Sequence, residues 1–307
     1  MSVVVLTGGI GGAKLVLGLL RVLPPASITA IVNTGDDFRH LGLYVSPDID
    51  TLLYTLSGKA STELGWGRAG ETWSFMAAAR ELGAADWFAL GDGDLALHVV
   101  RTFQLERGAS LSEVTAAFAR AFGLGLTVLP MSDDPVATWL ETDEGALAFQ
   151  RYFVQRRCEP RVRTIRFDSA DAASPAPGVV DAIERADAVI VAPSNPYLSV
   201  DPILAVPGVR AALARTGAPV VAVSPLVGGK AVKGPTAKLM GELGVTVGNE
   251  AVAERYRDFV DGLLIDEGDP PPAAMPHART ATLMATLDDR ERVARAALGF
   301  ARALSPR

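Results

Sequence analysis

The first predicted strand of the chain runs directly into a glycine-rich turn that could bind phosphate. Val3 to Leu6 is apolar and β-branched, and Thr7-Gly8-Gly9-Ile10-Gly11-Gly12-Ala13-Lys14 follows it, directly before a helical pattern. Glycines let backbone N–H groups approach a ligand closely, and a helix N-terminus carries partial positive charge. The candidates for this phosphate cradle are Gly8, Gly9, Gly11 and Gly12, with Lys14 as the counter-ion.

The spacing in this turn differs from the two commonest phosphate-binding motifs. A Walker A lysine is followed by Ser or Thr, whereas Lys14 precedes Leu15. In a dinucleotide fingerprint that begins at Gly9, Lys14 stands where a third small residue is required. We therefore expect phosphate binding without a standard ATPase or NAD site. The alternative is a tight strand-to-helix turn that binds nothing.

Four carboxylates follow the second predicted strand, Ile28 to Val32. They lie in the blocks Asn33-Thr34-Gly35-Asp36-Asp37 and Ser46-Pro47-Asp48-Ile49-Asp50-Thr51. Loops at the carboxyl ends of neighbouring parallel strands share one crevice, so these side chains should converge near the glycine turn. Carboxylates beside a phosphate repel it unless a hard cation lies between them. The cluster predicts Mg²⁺ held by Asp36, Asp37, Asp48 and Asp50, although each aspartate alone could cap a helix or form an Asx turn.

Two polar blocks in the middle of the chain are further candidates. In Leu90-Gly91-Asp92-Gly93-Asp94, the second acid precedes His98 by one helical turn. That imidazole could bind substrate or act as an acid or base, or it could be held by Asp94 for structure alone. The block Met131-Ser132-Asp133-Asp134, taken by itself, favours an ordinary turn.

Two later loops follow predicted strands at Ala188 to Ala192 and Val220 to Val223. They contain Asn195 and a Gly-Gly-Lys sequence, residue types that can recognise a base edge and hold phosphate. An ordinary turn is the alternative for Asn195-Pro196 alone. With the first glycine turn, these loops predict a nucleotide-sized site. The candidates in them are Ser194, Asn195, Ser224, Gly228, Gly229 and Lys230.

These loops need a parallel sheet to position them. Apolar β-branched runs alternate with helical patterns, which predicts an α/β, doubly wound, mostly parallel Rossmann-like sheet. Residues 1–50 and 160–307 would form the nucleotide- and phosphate-binding core, and 51–159 an inserted, mainly helical lobe on the acceptor side. Within that lobe we expect one strand at Trp87 to Leu90 and a β-hairpin in which Val136 to Thr142 pairs with Ala146 to Phe153.

Composition limits the kind of partner and the compartment. The chain of 307 residues is 49% hydrophobic, carries a formal charge of −6 and has no long basic block, which argues against nucleic-acid binding. Cys158 is the single cysteine, so no internal disulfide can form, and a reducing compartment is expected. No signal peptide or membrane helix is predicted, which together with the cysteine count indicates the cytoplasm.

Six sequence blocks occur in order along the chain: the glycine turn, the two acidic blocks, Met131-Ser132-Asp133-Asp134, Ala192-Pro193-Ser194-Asn195-Pro196, and Ser224-Pro225 with Gly228-Gly229. Together they resemble the 2-phospho-L-lactate transferase family of coenzyme F-420 biosynthesis. The resemblance covers nearly the whole chain. It implies transfer of a phospho-acid group from a guanosine-diphosphate-linked donor to the ribityl hydroxyl of the deazaflavin Fo, with Mg²⁺ and release of GMP. A cytoplasmic homodimer is also expected from the family.

The resemblance also implies roles for individual residues. Asp50 matches an aspartate that contacts Fo, and Asp36 matches a metal-ligand position; either could accept the proton of the attacking hydroxyl. The Fo side would comprise Asp50, Asp92, Asp94, His98, Met131, Ser132 and Asp133. The chain departs from the family where Arg commonly stands between two acids, since here that position is Gly93, so Arg68 or Arg101 could supply the missing contact.

Two other functions remain possible from sequence. The first is a non-catalytic nucleotide-sugar sensor, because a family of gluconeogenesis factors has a similar glycine loop and fold. The second is an NAD-dependent oxidoreductase, which the glycine spacing disfavours. The sequence also leaves open whether the donor carries phospholactate, enolpyruvyl phosphate or phosphoglycerate, because these acids differ by only a few atoms.

Overall fold

A parallel sheet forms the centre of the molecule. The computed structural model describes residues 1–61, 65–231 and 234–304. The strands are β1 (Val3–Thr7), β2 (Ile28–Val32), β3 (Phe38–His40), β4 (Leu43–Val45), β5 (Thr127–Pro130), β6 (Ala137–Thr142), β7 (Gly145–Ala148), β8 (Val162–Asp168), β9 (Ala188–Val191), β10 (Val220–Val223), β11 (Leu226–Val227), β12 (Lys230–Ala231), β13 (Gly262–Asp266) and β14 (His277–Thr280). Seven of them form the central sheet in the order β14-β13-β10-β9-β1-β2-β5, and all of its neighbouring pairs are parallel.

Helices cover both faces of this sheet. They are α1 (Gly9–Leu20), α2 (Pro47–Leu56), α3 (Ser74–Glu81), α4 (Asp92–Glu106), α5 (Leu111–Ala121), α6 (Val179–Glu184), α7 (Asp201–Ala205), α8 (Val209–Arg215), α9 (Thr236–Glu242), α10 (Asn249–Tyr256) and α11 (Leu287–Ala303). Side chains alternate along β1, so that Val3 and Val5 join a core with α1, α2, α5 and α11, whereas Val4 and Leu6 join a core with α6 to α10. The predicted doubly wound α/β fold is confirmed.

The predicted hairpin is present, and a third strand extends it. β6 pairs antiparallel with β7 and with β8, so the hairpin lies in a three-stranded sheet. The second strand ends at Ala148, earlier than predicted, because the chain then turns into a π-helix at Arg151–Gln155. The predicted strand at Trp87 to Leu90 is wrong. Its aromatic side chains pack against a ring from β3 instead, with Phe38 4.9 Å from Phe88 and 5.8 Å from Trp87 between ring centroids.

Two strands cross the predicted division into core and lobe. β5 lies inside the range 51–159 and yet pairs with β2 in the central sheet. Conversely, β8 lies beyond residue 160 and pairs with the hairpin. The functional division into a nucleotide side and an acceptor side stays a prediction.

No single helix among the described residues is long and apolar enough to cross a membrane. One pair, Pro196–Ala205 with Val209–Arg215, passes together by length and composition, but the two members meet at 89°.

Candidate functional site

The candidate site lies at the point where the strand order reverses. From β1 the chain moves to β2 on one side, and later returns to β9 on the other, which is where open α/β sheets bind ligands. The predicted glycine turn and the loop after β9 meet here. The Gly8 N–H donates to Ser194 Oγ at 3.1 Å, and the Ser194 hydroxyl donates back to the Gly8 carbonyl at 2.8 Å.

Several glycines in α1 allow close packing. A Cβ on Gly11 would collide with the carbonyl of Pro193, and one on Gly12 with the side chains of Thr7 and Ser194. Farther along the helix, a Cβ on Gly18 would collide with the backbone of Arg290 in α11. Lys14 lies beside the same C-terminal segment, where its Nζ donates to the Met284 carbonyl at 2.8 Å. These glycines therefore hold α1 against three neighbours, and the role of Lys14 as a phosphate counter-ion stays a prediction.

Three of the four predicted carboxylates lie together beside the glycine turn. The amide of Asn33 connects two of them, with Nδ2 3.2 Å from Asp36 Oδ1 and 2.9 Å from Asp48 Oδ2. Asp48 Oδ1 accepts from the Gly9 N–H at 2.7 Å, so this carboxylate occupies the N-terminus of α1. Asp37 completes the group, which we call the acid cluster (Asp36, Asp37 and Asp48), and it accepts from Ser46 Oγ at 2.7 Å.

The acid cluster carries unbalanced negative charge. Burial, with the charges of Asp48 and Asp37, raises the pKa of Asp36 well above its ordinary value. Burial likewise raises the pKa of Asp37 well above its ordinary value, and that of Asp48 to about 6. Among the described residues, neutral groups donate to these carboxylates, including Asn33, Gln150, Ser46 and the Gly9 N–H. The charge of Arg101 acts to lower the pKa of Asp37, but burial outweighs it. Carboxylate oxygens are the ligands that a hard divalent cation such as Mg²⁺ prefers, and the negative charge of these three is only partly balanced by the protein.

Asp50 does not join the cluster, although the sequence placed it there. Asp48 and Asp50 both lie in the first turn of α2, and two residues along an α-helix are about 200° apart, so the two side chains leave it in different directions. Arg101 takes both oxygens of Asp50 instead; its Nη1 lies 3.1 Å from Oδ2, and its Nη2 contacts Oδ1. Burial raises the pKa of Asp50, while Arg101 and His98 act in the opposite direction.

A buried polar network continues from this ion pair. Arg101 Nη1 lies 3.3 Å from His98 Nδ1, and because a guanidinium only donates, Nδ1 accepts in this contact and the other ring nitrogen, Nε2, faces Asp94. That nitrogen lies 3.2 Å from Asp94 Oδ2, and Asp94 Oδ1 accepts from the Tyr54 hydroxyl at 2.6 Å. Burial acts to raise the pKa of Asp94, but His98 and Tyr54 together hold it below its ordinary value.

This network also contains a set of possible metal ligands. In the described ranges, one ligand atom from each of Asp50, Asp94 and His98 lies within 4.8 Å of the others, whereas the carboxylate oxygens of Asp36, Asp37 and Asp48 do not all lie that close together. Arg101 already balances the charge of Asp50, so the arrangement is that of an ion-pair network. The three carboxylates of the acid cluster have neutral hydrogen-bond donors, so a cation there stays a prediction, and binding it would need these side chains to move closer together.

Arg68 occupies the space beside Gly93. A Cβ on Gly93 would collide with the Arg68 guanidinium, which lies 3.3 Å from Glu71 Oε1. The Gly93 N–H donates to the other Glu71 oxygen at 2.6 Å. Of the two arginines considered from sequence, Arg101 is 1% exposed and paired with Asp50, whereas Arg68 is 32% exposed. Arg68 is therefore the better placed of the two to reach a ligand.

Several predicted acceptor-side residues make structural contacts. Asp92 accepts from the Ser74 and Phe75 N–H groups at the start of α3, and Asp133 accepts from the Ser112 N–H in the first turn of α5. Met131 is fully buried in the core, and Ser132 Oγ donates to the Ser174 carbonyl at 2.6 Å. Their part in acceptor binding stays a prediction.

The predicted nucleotide loops lie at the carboxyl ends of β9 and β10. Asn195 Oδ1 accepts from the Tyr197 and Leu198 N–H groups, while its buried Nδ2 has no hydrogen-bond partner among the described residues. Ser224 Oγ donates to Asn249 Oδ1 at 2.6 Å. Gly228 and Gly229 have positive φ in the turn between β11 and β12, next to the exposed Lys230, and the Gly229 N–H donates to Asp269.

Some residues of the site carried no sequence signal strong enough to select them. Asn33 lies in the first acidic block, yet no sequence feature indicated that its amide would connect two aspartates. Gln150 lies 114 positions from Asp36, and its Nε2 is 3.3 Å from Asp36 Oδ2. Tyr54 follows Asp50 by one helical turn, which is the only local hint of its place in the network.

The fold and the site define a doubly wound α/β protein with a buried acidic cluster at its switch point. Residues 3–302 match the family model for 2-phospho-L-lactate transferase CofD. The chain belongs to this family, as the sequence resemblance predicted.

Similar proteins carry two names. The phosphoenolpyruvate transferase of Kitasatospora aureofaciens is 48% identical over 276 residues, which cover 88% of this chain and 86% of that protein. The 2-phospho-L-lactate transferase of Methanosarcina mazei is 40% identical over 266 residues, which cover 87% of each. A UPF0052 family protein from Bacillus halodurans has the same fold, with a TM-score of 0.66, 19% identity, and coverage of 97% of this chain and 99% of that one. That likeness shows the fold alone, whereas the transferase family model matches residues 3–302. The alternative function, a non-catalytic nucleotide-sugar sensor, is therefore not favoured.

Proposed function

We propose that this transferase moves a phospho-acid group from a guanosine-diphosphate-linked donor to the ribityl hydroxyl of the deazaflavin Fo and releases GMP. The observation that carries the proposal is the acid cluster beside the glycine turn at the switch point, where Gly9 and Asp48 are in contact. A cation there would lie close to a diphosphate bound at the turn. The family to which the chain belongs supports the same reaction.

The acid on the donor is proposed to be enolpyruvyl phosphate. The relative at 48% identity is named a phosphoenolpyruvate transferase, whereas the relative at 40% identity is named a 2-phospho-L-lactate transferase. The two acids differ by a carbon–carbon double bond and a methyl group, which a pocket distinguishes by shape.

In this proposal Asp36, Asp37 and Asp48 hold Mg²⁺. When bound, the ion neutralises charge on the diphosphate. One oxygen of Asp37, Oδ1, is buried and has no hydrogen-bond partner in the described parts of the chain, so it is available as a ligand.

The chemical step is a displacement at phosphorus. The ribityl oxygen bonds to the phosphorus that bears the acid, the bond from that phosphorus to the bridging oxygen breaks, and GMP leaves with the electron pair. The hydroxyl proton passes to a carboxylate. We assign that role to Asp36 over Asp50, because Arg101 already binds both oxygens of Asp50. Because Asp48 already occupies the N-terminus of α1, the cation held by the acid cluster would supply most of the positive charge that the phosphates need.

Mass spectrometry tests the reaction directly. Purified protein is incubated with Fo and each of the three guanosine-diphosphate-linked acids in turn, with Mg²⁺ or with EDTA. We expect one Fo adduct and an equal amount of GMP, formed with Mg²⁺ and absent with EDTA. No adduct with any donor would contradict the proposed function, and an adduct with phospholactate alone would contradict the proposed donor.

Without a divalent cation, the protein is expected to be more stable at pH 5 than at pH 7.5. The folded-state pKa values of Asp36, Asp37 and Asp48 are raised, the last to about 6, so between pH 7 and pH 4 the folded chain binds protons that the unfolded chain does not. Stability from these groups rises as pH falls through that window. We expect the melting temperature in EDTA to rise by about 2–6 °C.

Magnesium should reverse this trend, because it needs ionised ligands. Its stabilising effect is expected to be larger at pH 7.5 than at pH 5. Thermal unfolding in EDTA and in Mg²⁺ across this range measures both effects, and Asp36→Asn should weaken the pH dependence. A Mg²⁺ effect of equal size at both pH values would contradict the assignment of the metal to the acid cluster.

Arg68→Ala is expected to raise the KM for Fo by roughly 10- to 100-fold, the value of one hydrogen bond to a charged group. The KM for the donor should stay unchanged. In the Arg68→Ala background, Gly93→Arg should restore acceptor binding, because the space that Arg68 fills is then vacant. Gly93→Arg alone should lower the melting temperature. If the KM for Fo is unaffected by Arg68→Ala, Arg68 is not the acceptor contact.

A further inference from the structure

The two sides of α4 are reversed relative to an ordinary surface helix. Three of its four buried side chains are polar, and the four are Leu97, His98, Arg101 and Thr102. Its solvent side carries Val99, Val100 and Phe103, which are 47%, 42% and 60% exposed. A surface helix normally turns its apolar residues toward the core and its polar residues toward water. The exposed apolar side of α4 is therefore the side that a partner would cover.

These exposed residues belong to one continuous stripe along the helix. Successive residues of an α-helix are about 100° apart, so six side chains project within about 100° of one another. We call this set the α4 stripe, and its members are Asp92, Ala96, Val99, Val100, Phe103 and Arg107. The middle of the stripe is apolar, and it has an acid at one end and a base at the other. A contiguous apolar surface with a charged rim is typical of an interaction site.

The charged ends of the stripe have no partner of opposite charge. Asp92 accepts from the Thr72 hydroxyl and from the Ser74 and Phe75 N–H groups, all of which are neutral, and these donors hold its pKa below its ordinary value. The Arg107 guanidinium carbon lies 5.3 Å from the Phe103 ring centroid, and in the described chain it forms no ion pair. Both charges are therefore available to a partner.

The order of residues in the α4 stripe is complementary to itself. When two α4 helices pack antiparallel about a two-fold axis between residues 99 and 100, Val99 of one copy faces Val100 of the other. In the same register Ala96 faces Phe103, so a small side chain meets a large ring, and Asp92 faces Arg107 at both ends. A symmetric dimer needs such a surface, because the same patch contributes both halves of the contact.

Neighbouring aromatic side chains enlarge this surface. A stable interface buries about 800 Å² on each partner, which is more than one helical stripe provides. Trp73 and Phe75 adjoin the Asp92 end of the stripe and are 39% and 36% exposed. Trp66 is 50% exposed, and its ring centroid lies 6.4 Å from that of Trp73. In an antiparallel pair, these rings lie near the Arg107 end of the other copy.

We infer that the α4 stripe is the contact surface of a symmetric dimer, in which the α4 helices of two copies pack antiparallel. The resemblance to a family predicted a homodimer without a contact surface, and the inference supplies the surface and its register. It does not depend on the proposed reaction. The second copy covers the outer side of the helix whose inner side carries the ion-pair network of Asp94, His98 and Arg101.

Analytical ultracentrifugation over a range of protein concentrations tests this inference. Phe103→Glu places a charge in the apolar middle of the stripe, and because Phe103 is largely exposed, the fold should be retained. Leu82→Glu is the matched control, since Leu82 follows α3 outside the stripe and is 87% exposed. Arg107→Glu tests the register by placing like charges opposite each other. The melting temperature of each variant, measured at low concentration, confirms that the fold is intact.

We expect wild-type protein to sediment with the mass of two chains. Phe103→Glu should raise the dimer Kd by about 100- to 1000-fold, because the change occurs twice in the interface. Arg107→Glu should raise it by about 10-fold, with an effect that weakens as salt is added. Leu82→Glu should change it by less than about 2-fold.

Chemical cross-linking tests the position of the two-fold axis independently. In a Cys158→Ser background, Val99→Cys lies next to the axis, so a short bismaleimide should join two chains through it. Leu82→Cys should not cross-link. Wild-type protein that stays monomeric up to about 100 μM would overturn the inference, and so would a dimer that Phe103→Glu leaves intact. A monomer that sediments with anionic lipid vesicles would also overturn it, by assigning the stripe to a membrane surface.

Discussion

Asp36→Asn is expected to lower kcat by about 10²- to 10⁴-fold without lowering the melting temperature, the range for loss of a general base. The substitution keeps the shape of the side chain, and its remaining carbonyl oxygen can accept from Asn33. Gln150 loses the second carboxylate oxygen but keeps its contact with the backbone carbonyl of residue 36, at 3.4 Å. It removes one of three buried charges that repel each other, so the free energy of unfolding should stay constant or increase. Steady-state turnover at saturating Mg²⁺, with thermal unfolding in EDTA, measures the two effects.

Asp289→Asn is the matched control for this experiment. Asp289 lies in the first turn of α11, where it accepts from the Thr286 N–H and pairs with Arg292, and these contacts hold its pKa below its ordinary value. The control should lower the melting temperature and leave kcat unchanged, the opposite pattern. Full turnover by Asp36→Asn would show that Asp36 neither holds the ion nor takes the proton.

Arg101→Met is expected to cost about 3–5 kcal/mol of folding free energy, the largest stability effect of any change considered, because it leaves the buried Asp50 carboxylate unpaired. The melting temperature should fall by roughly 6–15 °C. The loss should be smaller at pH 5 than at pH 7.5, because an unpaired buried carboxylate can take a proton. Denaturant unfolding at both pH values measures the change.

The double variant Asp50→Asn with Arg101→Met separates this effect from loss of packing. Arg101 also lies 5.6 Å from the Phe118 ring centroid, and methionine retains much of that apolar contact. With the charge of Asp50 removed, most of the lost stability should return. A double variant as unstable as the single one would mean that packing, not the ion pair, holds this region.

The sequence predicted the strands that are apolar on both faces better than the other elements. Ile28–Val32 and Val220–Val223 have the predicted bounds, because continuous β-branched runs are typical of buried parallel strands. His277–Thr280 was missed, since its exposed, polar residues resemble a loop. The apolar run from Trp87 to Leu90 was wrongly predicted to be a strand. The rings of Trp87 and Phe88 pack against each other and against Phe38, without any strand pairing.

For the site, the sequence could place backbone turns but not side-chain directions. Strand ends at a switch point must share a crevice, so the meeting of Gly8 with Ser194 followed from topology alone. The separation of Asp50 from Asp48 depended on α2 beginning at Pro47, which puts the two carboxylates in different directions. Likewise, no local pattern connects Gln150 to Asp36, because Gln150 follows β7 of the three-stranded sheet and is 114 positions away in sequence.

The packing of α1 also affects what evolution can change. Gly11, Gly12 and Gly18 face backbone or side-chain atoms that leave no room for a methyl group, and Gly18 is far from any reacting atom. Larger residues at these positions are excluded because their side chains do not fit, whatever substrate a related protein uses. The packing of α1 alone would therefore keep these three glycines the same in related proteins, even where their substrate specificity changed.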